Sequence, residues 1–144
     1  MPELEQPAGV ELSDDPERID FEAVWAWLST EAYWGRFRSR ADVEKQVRGS
    51  WRVVGAYDSE SGAMLGFARA LSDGVNFAYL ADVFVLEEAQ GRGIGTALVA
   101  EMVENGPGSA FRWVLFTATA HSLYEKFGFA APDHTAMVRP SANI

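Results

Sequence analysis

Residues Gln90-Gly91-Arg92-Gly93-Ile94-Gly95 have the types and spacing to hold a phosphate. An apolar run at 77–86 precedes them and reads as a buried strand, and the stretch from Thr96 to Glu104 reads as a helix. Glycine lets a backbone turn sharply and come close to an anion. The first N–H groups of a helix have no partner inside it, and the helix dipole favours negative charge at that end. The ligand this points to carries a pyrophosphate. Two well-known phosphate loops do not fit. The dinucleotide fingerprint needs G-x-G-x-x-G, whereas Gly91, Gly93 and Gly95 fall two apart and Thr96 takes the sixth place. The triphosphate loop needs a Gly-Lys pair, which the chain lacks. On these six residues alone, an ordinary glycine-rich turn would read the same way.

A second stretch narrows the choice. Residues 117–129 read T-A-T-A-H-S-L-Y-E-K-F-G-F, and the glycine loop reads Q-x-x-G-x-G. Together, in this order and about 30 residues apart, they resemble the GNAT acetyltransferase superfamily, whose pyrophosphate loop is Q/R-x-x-G-x-G/A. Its later segment commonly reads N-x-x-A-x-x-L-Y-x-K-x-G-F. Ala120, Leu123, Tyr124, Lys126, Gly128 and Phe129 match, while Thr117 stands where asparagine is common. The resemblance covers roughly residues 20–139. The run at 77–85 together with His121 resembles a bacterial subgroup of unassigned substrate.

The resemblance implies a donor, acetyl-coenzyme A, and transfer of its acetyl group to an amine by direct attack. Gln90, Gly91, Arg92, Gly93, Ile94, Gly95 and Thr96 would hold its pyrophosphate. The backbone of Val83, Phe84 and Val85 would bond the pantetheine arm, and an N–H near Val85 would face the oxyanion. Tyr124 stands where the family keeps the acid that protonates the leaving thiolate, and a phenol with a pKa near ~10 suits that task. It also lies on an apolar helix stripe and could simply pack. A base is less defined. Some relatives carry a carboxylate where this chain has Ala81; Asp82 is the nearest candidate. Strand alternation would send its side chain to the face of Leu80 and Phe84, where it could instead hold a loop or the acceptor. His121, one helical turn before Tyr124, could tune the tyrosine or touch a ligand. Tyr33 and Trp34 are candidates for lining the acceptor pocket, since aromatic faces can hold a cation. Arg36, Arg38 and Arg40 read as a solvated basic connection that could also greet an acidic acceptor.

These residues need a scaffold, and the pattern supplies one of α/β class. Phe21, Val24, Trp25 and Leu28 mark a first helix, which Asp20 or Asp15 could cap. Ser39-x-x-Asp42 opens a second helix at 40–48. Strands are expected at 52–57, 63–71, 77–86 and 111–117, with short ones at 10–12 and 135–139. Ala120, Leu123, Tyr124 and Phe127 mark a late helix ended by Gly128. The resemblance implies a mixed central sheet splayed between its fourth and fifth strands and flanked by about four helices. Residues 1–15 read as a flexible start and 16–144 as one domain.

Composition fits a small enzyme. The chain has 144 residues, 48% of them apolar, and a net charge of −9. Such acidity disfavours nucleic acid as a partner and suits a cationic acceptor, though solubility alone would account for it. There is no cysteine, and the two histidines have no partner at ligand spacing, so no metal is expected. No apolar run approaches the ~20 residues of a membrane span, and no leader pattern opens the chain. A cytoplasmic protein is the default expectation. The family's habits leave a homodimer open. Two other classes remain: a sensor that binds acetyl-coenzyme A without turnover, and a partner-binding module using exposed aromatics.

Overall fold

The computed structural model describes residues 6–32 and 38–142. Five strands form one sheet in sequence order: β1 (Val10–Ser13), β2 (Arg52–Asp58), β3 (Met64–Ser72), β4 (Phe77–Val85) and β5 (Arg112–Val114). The first four run antiparallel, and β5 joins β4 in parallel. The sheet therefore begins at Val10, inside the segment read as a flexible start.

Local chemistry sets the helix starts. The Asp20 carboxylate accepts the Ala23 N–H and opens α1 (Phe21–Thr30), while Asp15 caps a 3-10 turn at Pro16–Arg18. The Ser39 hydroxyl accepts the Asp42 N–H and opens α2 (Arg40–Arg48). Both helices cover one sheet face, where Val24, Leu28 and Val43 pack on Val53, Tyr57, Phe67 and Phe84. On the other face, α3 (Ile94–Val99) and α4 (His121–Glu125) pack Leu98, Val99 and Tyr124, with Phe127 just past α4, against Val54, Ala68 and Leu80.

Two features of β4 shape everything downstream. Its pairing with β5 covers only Phe77–Tyr79 against Arg112–Val114, so the rest of β4 has no strand on that side. The sheet is splayed between its fourth and fifth strands. Further along, the register with β3 slips: Ala81 faces Arg69, but Phe84 faces Phe67. The extra residue is a bulge, and Asp82 within it has φ of 53°. A bulge reverses alternation. Leu80, Val83 and Val85 belong to the α3–α4 face, whereas Phe84 belongs to the α1–α2 face. The expected shared face of Leu80 and Phe84 is thus corrected by the bulge.

Three other expectations change. The helix at 96–104 divides: α3 gives way to a π-helical turn at Ala100–Glu104, closed by Asn105 N–H to the Ala100 carbonyl at 3.1 Å. Buried Arg52 donates Nη1 to the Glu101 and Met102 carbonyls at 2.8 and 3.1 Å, supplying partners at that helix end. The strand expected at 111–117 is only three residues long. No strand forms at 135–139, where Met137 is 95% exposed and no neighbouring edge supplies hydrogen bonds.

Candidate active site

The glycine loop leaves β4 through a 3-10 turn at Glu87–Ala89 and enters α3. Gly91 and Gly93 have φ of 83° and 81°, left-handed values that suit glycine. A Cβ at either position would meet nothing within 4 Å, so open space faces the loop. Gly93 caps α3 without a side chain, and the first intrahelical bond is Ala97 N–H to the Gly93 carbonyl. The N–H groups of Ile94, Gly95 and Thr96 therefore have no acceptor within the helix. A hollow of about 190 Å³ lies there, lined by the loop glycines, Thr96, Val85 and Leu123. An anion with oxygens in that hollow meets backbone donors and the positive end of a helix, so the loop fits a pyrophosphate. Gln90 braces the site by donating its amide to the Val85 carbonyl at 3.1 Å. Arg92 ties the loop to the turn before β1, donating Nη2 to the Ala8 carbonyl at 3.2 Å. A larger hollow, of about 510 Å³, lies away from the loop beside Val47, Trp51 and Arg52.

The second motif comes to the same place. A Cβ on Gly95 would lie 3.7 Å from Val85 and 3.9 Å from Leu123, so α3, β4 and α4 converge there. The Thr117 hydroxyl accepts the Ala120 N–H at 3.0 Å just before α4, a polar contact from threonine where asparagine is common. Tyr124 is 9% exposed, its ring edge-on to Phe129 at 5.9 Å. Burial pushes its phenol above the ordinary value. The hydroxyl makes no hydrogen bond to the described residues and is not sealed from solvent. It is free to meet a ligand. His121 is exposed at the start of α4.

On the opposite sheet face a charged cluster surrounds the bulge. Arg38 holds the Asp82 carboxylate with both ends of its fork, Nη1 to Oδ2 at 2.9 Å and Nη2 to Oδ1 at 3.0 Å. Arg69 adds Nε to Oδ2 at 2.7 Å. Arg38 Nη1 also donates to the Gln46 side chain at 2.8 Å. Burial by itself would raise the Asp82 pKa, but the Arg38 bonds and the Arg69 charge outweigh it and hold the carboxyl below the usual range. Beside the cluster, Trp27 stacks on Phe84 with centroids 5.2 Å apart. Tyr33 and Trp34 lie outside the described residues.

The sequence profile of the GNAT acetyltransferase domain matches residues 49–131, more than half the chain. The chain belongs to the GNAT family. A crystal structure from Xanthomonas campestris pv. campestris, described as a GNAT-family acetyltransferase, is 32% identical with a TM-score of 0.84. That match covers 96% of this chain and 98% of the other. A Deinococcus radiodurans R1 structure shares the fold at 18% identity, with a TM-score of 0.72 over 95% of this chain and 92% of the other. A Gibberella zeae protein provisionally named an acetyltransferase is 35% identical over 74 residues. The match spans 51% of this chain and only 40% of that protein's length.

Within this GNAT domain, the glycine loop, the unpaired edge of β4 and α4, through Leu123 beside Tyr124, come together, while Asp82 sits across the sheet. Sequence reasoning passed over Arg69, although a charged residue inside the apolar run of β3 was its signal. Arg38, read as part of a solvated connection, is instead half-buried in the clamp, whereas Arg40 does pair at the surface with Glu22. Among the described residues no helix is long and apolar enough to cross a membrane, and no group of three or more His, Cys, Asp or Glu is placed to hold a metal.

Proposed function

We propose that this GNAT domain transfers an acetyl group from acetyl-coenzyme A to an amine, within a complex of both substrates. The carrying observation is the convergence at Gly95 of the glycine loop, Val85 at the unpaired end of β4 and Leu123 of α4, the residue before Tyr124. When bound, acetyl-coenzyme A supplies a thioester for the amine to attack and a thiolate to expel. The N–H groups of Ile94, Gly95 and Thr96 hold its pyrophosphate, with Gly91 and Gly93 shaping the turn. Backbone groups of Val83, Phe84 and Val85 bond its extended arm as an added strand would. An N–H in that stretch donates to the carbonyl oxygen as charge develops. Tyr124 donates its phenolic proton to the departing sulfur. Burial raises its pKa, so the phenol is in the protonated form this role needs at neutral pH.

We assign Asp82 to positioning. A carboxylate held by two guanidinium groups would have to give up three hydrogen bonds' worth of stabilisation to accept a proton. Water passing the proton to solvent is the simpler route for the amine. His121, exposed beside α4, is available to a ligand at the mouth of the site. The test is calorimetric titration with acetyl-coenzyme A, using NAD and ATP as controls, followed by thiol release with amines. Selective micromolar binding and amine-dependent thiol release are expected. Selective binding without release for any amine would favour a sensor, and no binding by folded protein would refute the reading.

A further inference from the structure

The cluster beneath the β4 bulge is not electrically closed. Among the described residues it holds two guanidinium groups and one carboxylate. The residues between Ala32 and Arg38 add no acid, and nearby Glu22 is committed to Arg40. Arg38 uses both Nη nitrogens on Asp82. Arg69 uses only Nε, and its side chain is 7% exposed. Among the described residues neither Nη of Arg69 meets an acceptor. Among the described residues, the sealed polar atoms without a partner are Trp27 Nε1, Arg38 Nε and Tyr57 Oη. The Arg69 Nη pair is not among them, so this end-on fork is not fully sealed, although the side chain is nine-tenths buried. A buried charge is stable when paired, and a guanidinium fork matches a carboxylate bidentately.

Its location gives the fork a task. Arg69 faces Ala81 across the strands, next to the bulge. Trp27 and Phe84 stack on the same sheet face, and Phe84 lies between Val83 and Val85, where the donor's arm would bond. An acceptor reaching the thioester from this side passes the Arg69 fork. We propose that Arg69, braced by Asp82 and Arg38, is a specificity-determining residue that receives the carboxylate of an amine acceptor, so that the acceptor class is the amino carboxylates. This rests on the acetyl-transfer reading above. The net charge of −9 sharpens it, since only a local cation lets this protein hold an anionic acceptor.

The test compares amines that differ only in the carboxylate: L-phenylalanine against 2-phenylethylamine and L-phenylalaninamide, and L-leucine against 3-methylbutylamine. Thiol release and calorimetric binding to the coenzyme-A-loaded protein are both measured. The expected result is at least a tenfold preference in kcat/KM, or in affinity, for the carboxylates. Arg69→Gln should raise KM for the carboxylates tenfold or more and leave acetyl-coenzyme A affinity intact. Arg69→Lys, which keeps the charge and loses the fork, should recover only part. Equal or better use of the uncharged partners, or failure of every carboxylate to bind, overturns the proposal. If acetyl-coenzyme A itself does not bind, the acetyl-transfer reading has failed instead.

Discussion

Replacing Asp82 by asparagine keeps the shape of the side chain and removes its charge. Two guanidinium groups then face a neutral amide inside the protein. The Asp82 side chain is 3% exposed, Arg69 7% and Arg38 19%, so little water replaces the lost partner. Breaking one partner of a buried pair costs about 3–5 kcal/mol. The partial exposure of Arg38 favours the lower end. At ~2.1 cal/mol/K per residue, melting entropy for a chain of this length is about 300 cal/mol/K, so a loss of about 3 kcal/mol lowers Tm by about 10 °C. Circular-dichroism melts of both proteins between pH 2.5 and 8 would measure the difference. The folded Asp82 pKa is lowered, so its stabilisation is fully present above the unfolded value of about 3.9 and lost as pH falls through the folded value. The gap in Tm should therefore be constant from pH 8 to 5 and close only below about 4. Equal Tm at pH 7, or a gap that closes between pH 7 and 5, would refute the ion-pair argument. Kinetics give a second reading. With Asp82 ionised throughout the neutral range, Asp82→Asn should not change the shape of the rate profile between pH 5 and 8. An acidic limb near pH 6 that the variant loses would instead make Asp82 the base.

Gly93→Asp places a side chain at φ of 81° and a negative charge beside the helix N-terminus that would hold the pyrophosphate. Acetyl-coenzyme A binding should disappear in calorimetry, and retained affinity in folded protein would contradict the loop assignment. Tyr124→Phe should bind acetyl-coenzyme A as tightly as the parent and turn over at least ~10²-fold more slowly. The raised phenol pKa places the parent's alkaline limb above the ordinary value of 10.0, and the variant should lack that limb. Arg52→Met leaves two carbonyls at the end of the π-turn without their donor, at about 1–3 kcal/mol each. Urea unfolding should report a loss of about 2–6 kcal/mol, and a loss below about 0.5 would show that other donors satisfy that helix end.

What was legible in the chain was local or short-range. The capping chemistry of Ser39 and Asp42 and the spacing of Val43 and Val47 suffice to place α2, because a helix start depends on residues within one turn. The glycine loop was legible for the same reason. The π-turn was not, because its partner Arg52 comes from a strand far earlier in the chain. Nor was the absence of a strand at 135–139, since alternation says which face would be buried but not whether an edge is there to receive it. The face of Phe84 was missed because period-two reasoning assumes an uninterrupted strand, and the sequence does not announce a bulge at an aspartate.

That bulge is the feature on which both halves of the site depend. In a regular strand Leu80, Asp82 and Phe84 would share a face. The slip instead keeps Val83 and Val85 beside α3 and α4, near the loop and Tyr124, and turns Phe84 toward Trp27 and the arginines. On the proposed reading, one strand thereby serves the donor on one side and the acceptor on the other. The bulge has a cost, since a left-handed aspartate is strained by about 1–2 kcal/mol. The ~3 kcal/mol argued above for its two ion pairs exceeds that cost. Asp82→Gly separates the two terms: it relieves the strain but loses the charge, so it should melt above Asp82→Asn and below the parent. A glycine variant as stable as the parent would mean that the ion pairs do no more than offset the strain of the bulge. The arginines would then be retained there only for what they bind.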